Sequence, residues 1–292
     1  MKSLVCFGLG YSAAALAARL AQRNWTIAAT STSGSGAARI AALGYQPFAF
    51  DGTVQAPGIR EALASATHAV VSAPPESNGD PVLRHHARDI AESTTLGFIA
   101  YLSTIGVYGD WQGQWVDEES PINPRSERSR RRAAAETAWL DLGKTTGKTV
   151  IVFRLAGIYG PGRSAIDTVR DGSARRIVKP GQVFNRIHRD DIAGVVAAAI
   201  DGTPRHTIYN VTDDEPAPPQ DVIAYAAGLL GRPVPPEIPF EQASLSPMGA
   251  SFYAENKRAS NARAKGDLGW RLTYPTYREG LAAIARIRQT SG

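Results

Sequence analysis

Residues 3–21 read SLVCFGLGYSAAALAARLA, and the reading of this stretch decides the fold. Ser3 to Phe7 is an apolar run of strand length, and Ser12 to Gln22 carries small and apolar residues at helical spacing. Between them stands Gly8-Leu9-Gly10-Tyr11-Ser12-Ala13, a G-x-G-x-x-A turn. Gly8 permits a tight turn, Gly10 lets backbone N–H groups approach a pyrophosphate, and Ala13 lets helix and strand pack closely. A strand before the turn and a helix after it supply the context that a dinucleotide-binding fingerprint requires. A secretion signal would also begin with a positive residue and an apolar stretch. Here two glycines interrupt the apolar run, and Arg19 and Arg23 follow at helical spacing, so a buried strand leading into a helix is the preferred reading.

Outward from this unit, the alternation continues. Strands are expected at Trp25 to Thr30, Gln46 to Phe50, His68 to Ser72, Phe98 to Ser103 and Thr149 to Leu155. Helices are expected at Gly36 to Leu43, near Ile59 to Ser65, from Pro81 to about Thr95, and across Arg125 to Leu142. Strands separated by helices of this length predict βαβ units, and therefore an α/β, Rossmann-type doubly wound parallel sheet covered on both faces. After Leu155 the alternation weakens into proline-bearing loops, with helices still readable at about Ile192 to Ile200, Gln220 to Leu230 and Tyr277 to Arg288. The expected organisation is a dinucleotide-binding domain over 1–156, to which 188–212 returns. Residues 157–187 and 213–292 then form a smaller substrate lobe over the carboxyl edge of the sheet, where such sheets bind ligands.

Composition narrows the function classes. Of 292 residues, 43% are hydrophobic and 20% charged, which is ordinary for a folded soluble protein. A net charge of +5 suits anionic small molecules as well as nucleic acid. The single cysteine, Cys6, cannot pair within the chain, which excludes a disulfide-stapled fold and fits a reducing cytoplasm. No stretch reaches the ~18 uninterrupted apolar residues of a membrane span. His85 and His86 are adjacent on a helix and so point to different faces, and no metal site is expected there.

Five later segments carry a family resemblance. YLSTIGVYGD at 101–110 resembles the S-[ST]-x-x-V-Y-G segment of the extended short-chain dehydrogenase/reductase superfamily, the NAD-dependent epimerase/dehydratase group. RLAGIYGPGR at 154–163 is similar to that group's R-x-x-x-V-Y-G-P-G segment, and RIHRDDIAGVV at 186–196 to its H-V-D-D-V-A segment. HTIYNVTDDE and NKRASNARAKGDLGW resemble its Y-N-V-[GT] and S-N-[AK]-K-x-x-x-x-L-G-W segments. The group uses a Tyr-x-x-x-Lys pair on one helix face, in which tyrosine exchanges the proton and lysine binds the nicotinamide ribose. Anchored on Pro124 and Glu136, the run NPRSERSRRRAAAE at 123–136 puts Arg128 at the tyrosine position and Arg132 at the lysine position. A guanidinium stays protonated and cannot shuttle a proton, but it clamps a carboxylate or phosphate with two parallel hydrogen bonds. Arg130 and Arg131 point elsewhere on such a helix and are read as solvated surface. Nucleic-acid binding is not expected, because only Trp139 lies near the run.

The resemblance implies that Thr104 meets the reacting oxygen, that Arg132 orients the cofactor, and that Asn185 and Arg186 touch substrate. Tyr159 and Arg163, in RLAGIYGPGR, are expected beside them. Tyr108, or His188 with its natural pKa near the physiological range, is the expected replacement for the missing proton carrier. Asp191 is expected to cap the helix that follows it. The cofactor is expected on Gly8, Gly10, Tyr11, Ser12 and Ala13, on the end of the second strand at Thr30, Ser31 and Thr32, and on Ser72-Ala73-Pro74 after the fourth. Asp51 either meets the adenine or is an ordinary turn aspartate. Because Thr30-Ser31-Thr32-Ser33-Gly34-Ser35 offers hydroxyls where an NAD site places a carboxylate, NADP is preferred over NAD. Two functions follow: an NADP-dependent oxidoreductase, epimerase or dehydratase for a small anionic substrate, or a non-catalytic NADP sensor. The resemblance also implies a homodimer through Pro81 to Thr95 and Arg125 to Leu142.

Overall fold

A computed structural model describes residues 2–287. Its central sheet contains β1 (Ser3–Phe7), β2 (Thr26–Ser31), β3 (Gln46–Ala49), β4 (His68–Val71), β5 (Phe98–Thr104), β6 (Thr149–Leu155) and β7 (Ile208–Val211). The strand order is β7-β6-β5-β4-β1-β2-β3, and every pairing is parallel. The helices are α1 (Tyr11–Ala21), α2 (Gly34–Ala42), α3 (Ile59–Ser65), α4 (Pro81–Glu92), α5 (Glu127–Thr146) and α6 (Ala165–Asp171), followed by α7 (Arg189–Asp201), α8 (Pro219–Leu229), α9 (Pro247–Tyr253), α10 (Ala262–Leu268) and α11 (Tyr277–Ile287). The chain is thus a doubly wound α/β protein of Rossmann type.

Period-two alternation sends neighbouring residues of each strand to opposite faces. Leu4 and Cys6 join a core with Leu16 and Leu20 of α1 and Val195 and Val196 of α7. Val5 and Phe7 join the opposite core with Leu63 of α3, Val82 of α4 and Trp139 of α5. Both faces are covered, which is why the strands read as nearly continuous apolar runs. A third core, including Ile166, Val222, Ala226, Leu281 and Ile284, holds α6, α8 and α11 together. Among the described residues no helix is long and apolar enough to cross a membrane.

The fifth helix runs past its expected end at Leu142, to Thr146. Gly143 does not stop it: a Cβ there would lie 2.8 Å from Val150 Cγ2 and 3.0 Å from the Lys148 carbonyl, so this glycine serves close packing against β6. The stop is Gly147, in left-handed conformation at φ +70°.

Candidate functional site

The first turn is braced by the strands on either side of it. Gly8 sits at φ +85° and donates its N–H to Thr30 Oγ1 at 2.8 Å, while Ser72 Oγ donates to the Gly8 carbonyl at 2.7 Å. A Cβ on Gly8 would approach Ser72 Oγ to 3.2 Å and the Ala73 nitrogen to 3.4 Å, so the ends of β2 and β4 meet only over a glycine. Ser12 and Ala13 are buried, and α1 begins with no side-chain cap and no acidic residue in its first turn. An uncapped helix start behind a glycine turn fits a dinucleotide pyrophosphate. Tyr11 lies beside it, donating its hydroxyl to the Pro161 carbonyl at 3.0 Å, with the guanidinium groups of Arg189 and Arg163 at 4.9 and 5.9 Å from its ring.

The hydroxyl of Thr30 is engaged in holding Gly8, whereas Thr32 is exposed beside Ser31 at the start of α2. Asp51 is exposed, and its Oδ1 accepts from the Thr53 N–H at 2.9 Å and the Thr53 hydroxyl at 2.7 Å. Those bonds hold its carboxyl below the usual carboxylate range and make it a turn aspartate.

A cavity of about 430 Å³ opens at the carboxyl ends of β5 and β6. Thr104 reaches it from the end of β5, and its Oγ1 accepts from the Gly106 N–H at 3.1 Å, starting a short 3-10 turn at 105–108. Ser129 of α5 lines the same corner, and a Cβ on Gly106 would meet its hydroxyl at 3.0 Å and that of Thr104 at 3.3 Å. Arg128 also borders the cavity, its guanidinium 5.3 Å from the Phe252 ring of α9. Arg132, one turn on, does not line it: Nη1 donates to the Tyr101 hydroxyl at 3.1 Å and the Leu102 carbonyl at 3.0 Å. Thus Arg128 faces α9 and Arg132 the sheet.

Two short paired strands, Gly157–Tyr159 and Arg186–His188, and the segments beside them contribute Tyr159, Arg163, Asn185 and Arg186 to the wall. Tyr159 donates to the Thr276 carbonyl at 3.4 Å, and burial drives its pKa far above the usual phenol value. Arg186 Nη1 donates to the carbonyls of Phe184 at 2.9 Å and Ala217 at 3.0 Å. Nearby Asp213 is buried, and its Oδ2 has no partner among the described residues. Burial pushes the Asp213 carboxyl up to about 8, a rise that the charge of Arg186 opposes. Asn185 lines the cavity, but its amide is occupied: Nδ2 donates to the Lys257 carbonyl at 2.9 Å and Oδ1 accepts from the Ala259 N–H at 2.8 Å.

Sequence reasoning passed over the pair that Asn185 holds in place. Lys257 is buried and lines the cavity, donating from Nζ to the Gly109 carbonyl at 2.6 Å and to Glu255 Oε2 at 2.7 Å. The available signal was Glu255-x-Lys257, whose spacing in an extended segment sets both side chains on one side.

Three expectations meet a different structure. Tyr108 is fully buried away from the cavity; its hydroxyl donates to Asn210 Oδ1 at 2.8 Å and accepts from Arg154 Nη1 at 2.9 Å. With both neighbours fixed and burial raising its pKa, its hydroxyl is held in an interior network rather than at the cavity. His188 is likewise buried and outside the cavity, at 5.2 Å from the Tyr159 ring and 4.2 Å from the Tyr274 ring. Its Nδ1 accepts from the Asp190 N–H at 3.2 Å, so His188 itself caps α7, and burial lowers its pKa to about 4. Asp191 therefore does not cap that helix. Its carboxylate accepts from the N–H groups of Thr273 at 2.6 Å and Tyr274 at 3.1 Å, and burial raises it to about 6.

No family model matches the chain. A functionally unknown conserved protein from Silicibacter pomeroyi DSS is 46% identical, with the match covering 99% of this chain and 100% of that one at a TM-score of 0.90. The chain belongs to one family with that protein. A putative NAD-dependent epimerase/dehydratase from Methylobacillus flagellatus is 25% identical over 99% of this chain and 98% of its own, at a TM-score of 0.72. The UDP-glucose 4-epimerase of Thermus thermophilus, solved with NAD, shares the fold at a TM-score of 0.76 and 20% identity, covering both chains in full. Among curated relatives, a 3-diazoavenalumate denitrifying reductase from a Streptomyces species is 32% identical over 145 residues. That match spans 45% of this chain and 45% of the reductase. The structural neighbours are thus NAD-dependent epimerase/dehydratase-like proteins, and a reductase is among the sequence relatives.

Proposed function

We propose that the protein is an NADP-dependent oxidoreductase or epimerase/dehydratase-like enzyme acting on a small anionic substrate. One observation carries the reading: Arg128, Arg163, Arg186 and Lys257 border a cavity at the carboxyl edge of the sheet, against the single carboxylate of Glu255. The NAD-bound neighbour supports a nicotinamide dinucleotide as cofactor, and the reductase relative supports the reaction class. A bound nicotinamide would supply or accept the hydride. The chain would hold the pyrophosphate at Gly8, Gly10 and the start of α1, and the hydroxyls of Ser31 and Thr32 would accommodate a 2′-phosphate. Arg132, at the sheet edge, would orient the cofactor, with Ser72, Ala73 and Pro74 bordering it.

Thr104 would donate a hydrogen bond to the reacting oxygen, and Arg128 would clamp the substrate anion. With Tyr108 and His188 in the interior, Lys257 is the cavity residue assigned the proton. Two of its three N–H donors are engaged, and the third remains for substrate. The non-catalytic sensor is the second reading, favoured by the arginines at the Tyr-x-x-x-Lys positions. We assign the protein to the cytoplasm, consistent with its unpaired buried thiol, and expect a homodimer through α4 and α5.

Fluorescence titration with NADPH and NADH tests the cofactor. NADPH is expected to bind more tightly, and no binding of either at millimolar concentration defeats both readings. Hydride transfer that survives Lys257→Met would remove Lys257 from its role. A cofactor that binds but never turns over across a panel of carbonyl acids would favour the sensor.

A further inference from the structure

The cations around the cavity are not equivalent. Lys257 is neutralised by Glu255 at 2.7 Å, and Arg186 is bound to two carbonyls through Nη1. The side chains of Arg128 and Arg163 make no hydrogen bond or ion pair among the described residues; Arg163 lies 5.9 Å from the Tyr11 ring, whereas the Arg128 guanidinium lies 5.3 Å from the ring of Phe252. That ring is 49% exposed, although most large apolar side chains of this protein are buried. A free planar cation on α5 and an outward-facing aromatic on α9 therefore meet at one wall of the cavity, brought there from distant parts of the chain.

The rest of the wall decides between anions. Ile105, Leu155, Ile158, Val183 and Phe184 give it an apolar surface. The start of α5 also reaches the cavity, but Ser126 Oγ accepts from the Ser129 N–H at 3.1 Å and donates to the Ser129 hydroxyl at 2.8 Å. This cap takes up the Ser129 N–H, one of the helix-terminal donors that a phosphate would otherwise use. The Asn185 amide is occupied as well. A nucleotide sugar would press many hydroxyls and two phosphates against these walls, and each buried polar group left without a partner costs about 1–3 kcal/mol. A carboxylate needs only the two-pronged face of a guanidinium, and an aromatic body gains by covering the apolar wall. A cavity of about 430 Å³ is of the size that small-molecule ligands occupy.

We propose that the substrate is a carboxylate with an apolar, aromatic body: Arg128 forks the carboxylate, and the body lies along Phe252, Phe184 and Ile158. The proposal deepens the dinucleotide-dependent reading above and rests on it for the reaction, but the binding site is testable by itself. The full chain is titrated calorimetrically with trans-cinnamate, acetate, inorganic phosphate and UDP-glucose, each with and without saturating NADPH. Cinnamate is expected to bind at least about tenfold more tightly than the other three. Arg128→Ala and Phe252→Ala, both at exposed positions, are each expected to weaken cinnamate about tenfold while the melting temperature stays unchanged. Phe252→Tyr should retain binding. Absent cinnamate binding, phosphate or UDP-glucose binding as tightly as cinnamate, or affinity indifferent to both alanine substitutions overturns the proposal. Failure of NADPH to bind while cinnamate still does would overturn the cofactor reading and leave the carboxylate site standing.

Discussion

The middle of α5 and its first turn treat charge in opposite ways. Toward its middle, Glu136 is buried and accepts from Arg154 Nε and Nη2, the latter at 2.8 Å, while Ser103 Oγ donates to its Oε1 at 2.5 Å. Arg154 passes the network to Tyr108, and Tyr108 passes it to Asn210. Two turns toward the N-terminus, Arg128 stands exposed beside the Phe252 ring, its side chain without a hydrogen bond or ion pair among the described residues. Interior charge survives only when paired and hydrogen-bonded, because desolvation removes the water that would otherwise stabilise it. Charge at a cavity wall keeps its water and remains available to a ligand. One helix thus carries both a locked structural charge and a free one, and residue type does not distinguish them.

This contrast makes predictions of decreasing size. Glu136→Gln leaves Arg154 buried without its counter-ion and should cost about 3–5 kcal/mol in urea unfolding; a loss below about 1 kcal/mol would mean that water enters the interior network. Tyr108→Phe removes the hydroxyl between Arg154 and Asn210 and should cost about 1–3 kcal/mol with NADPH affinity unchanged. If cofactor binding fell in that variant while stability held, Tyr108 would belong to the site after all.

The third prediction concerns pH. Asp213 has its folded pKa raised from 3.8 to about 8, so above the unfolded value the folded state holds a proton that the unfolded state has released. Stability is lost as pH rises through this range. His188 works in the opposite direction: its pKa is lowered from 6.5 to about 4, so stability falls as pH drops below 6.5. Between pH 6.5 and 8 the Asp213 effect stands apart from that of His188. Unfolding free energy should fall there by at most about 2 kcal/mol, and Asp213→Asn should flatten the slope. A slope that persists in Asp213→Asn would assign it to another group. Smallest is Arg128→Ala, expected to change stability by no more than about 0.5 kcal/mol, because its side chain is exposed and makes no polar contact within the chain. A larger loss, read by the same urea titration, would show that Arg128 is structural like Arg154.

The first turn was legible from local sequence because its demands are local: a glycine at φ +85°, a second glycine before an uncapped helix, and an alanine against the strand. The register of α5 was legible as well, since the spacing from Pro124 to Glu136 already separates Arg128 from the surface pair Arg130 and Arg131, which both bind Glu127. Tyr108 and His188, expected at the site, are buried instead, because a side chain's surroundings depend on what it meets. The partner that fixes Tyr108 lies 102 residues away at Asn210, and a histidine just before a helix can cap it as readily as an aspartate two or three residues later. The Glu255 and Lys257 pair escaped notice in a loop without periodicity, whose position is set by Asn185 across 72 residues.

By itself, then, the order of residues determined the alternating strands and helices and the glycine turn. These rest on backbone sterics and periodicities that act over a few residues. Only the tertiary structure decided that Arg128 is left without a polar partner beside Phe252, which tyrosine is locked, and that Phe252 and Lys257 share a cavity with Thr104. Burial and pairing are properties of segments brought together across the whole chain, and they set the energy of every charge in the site.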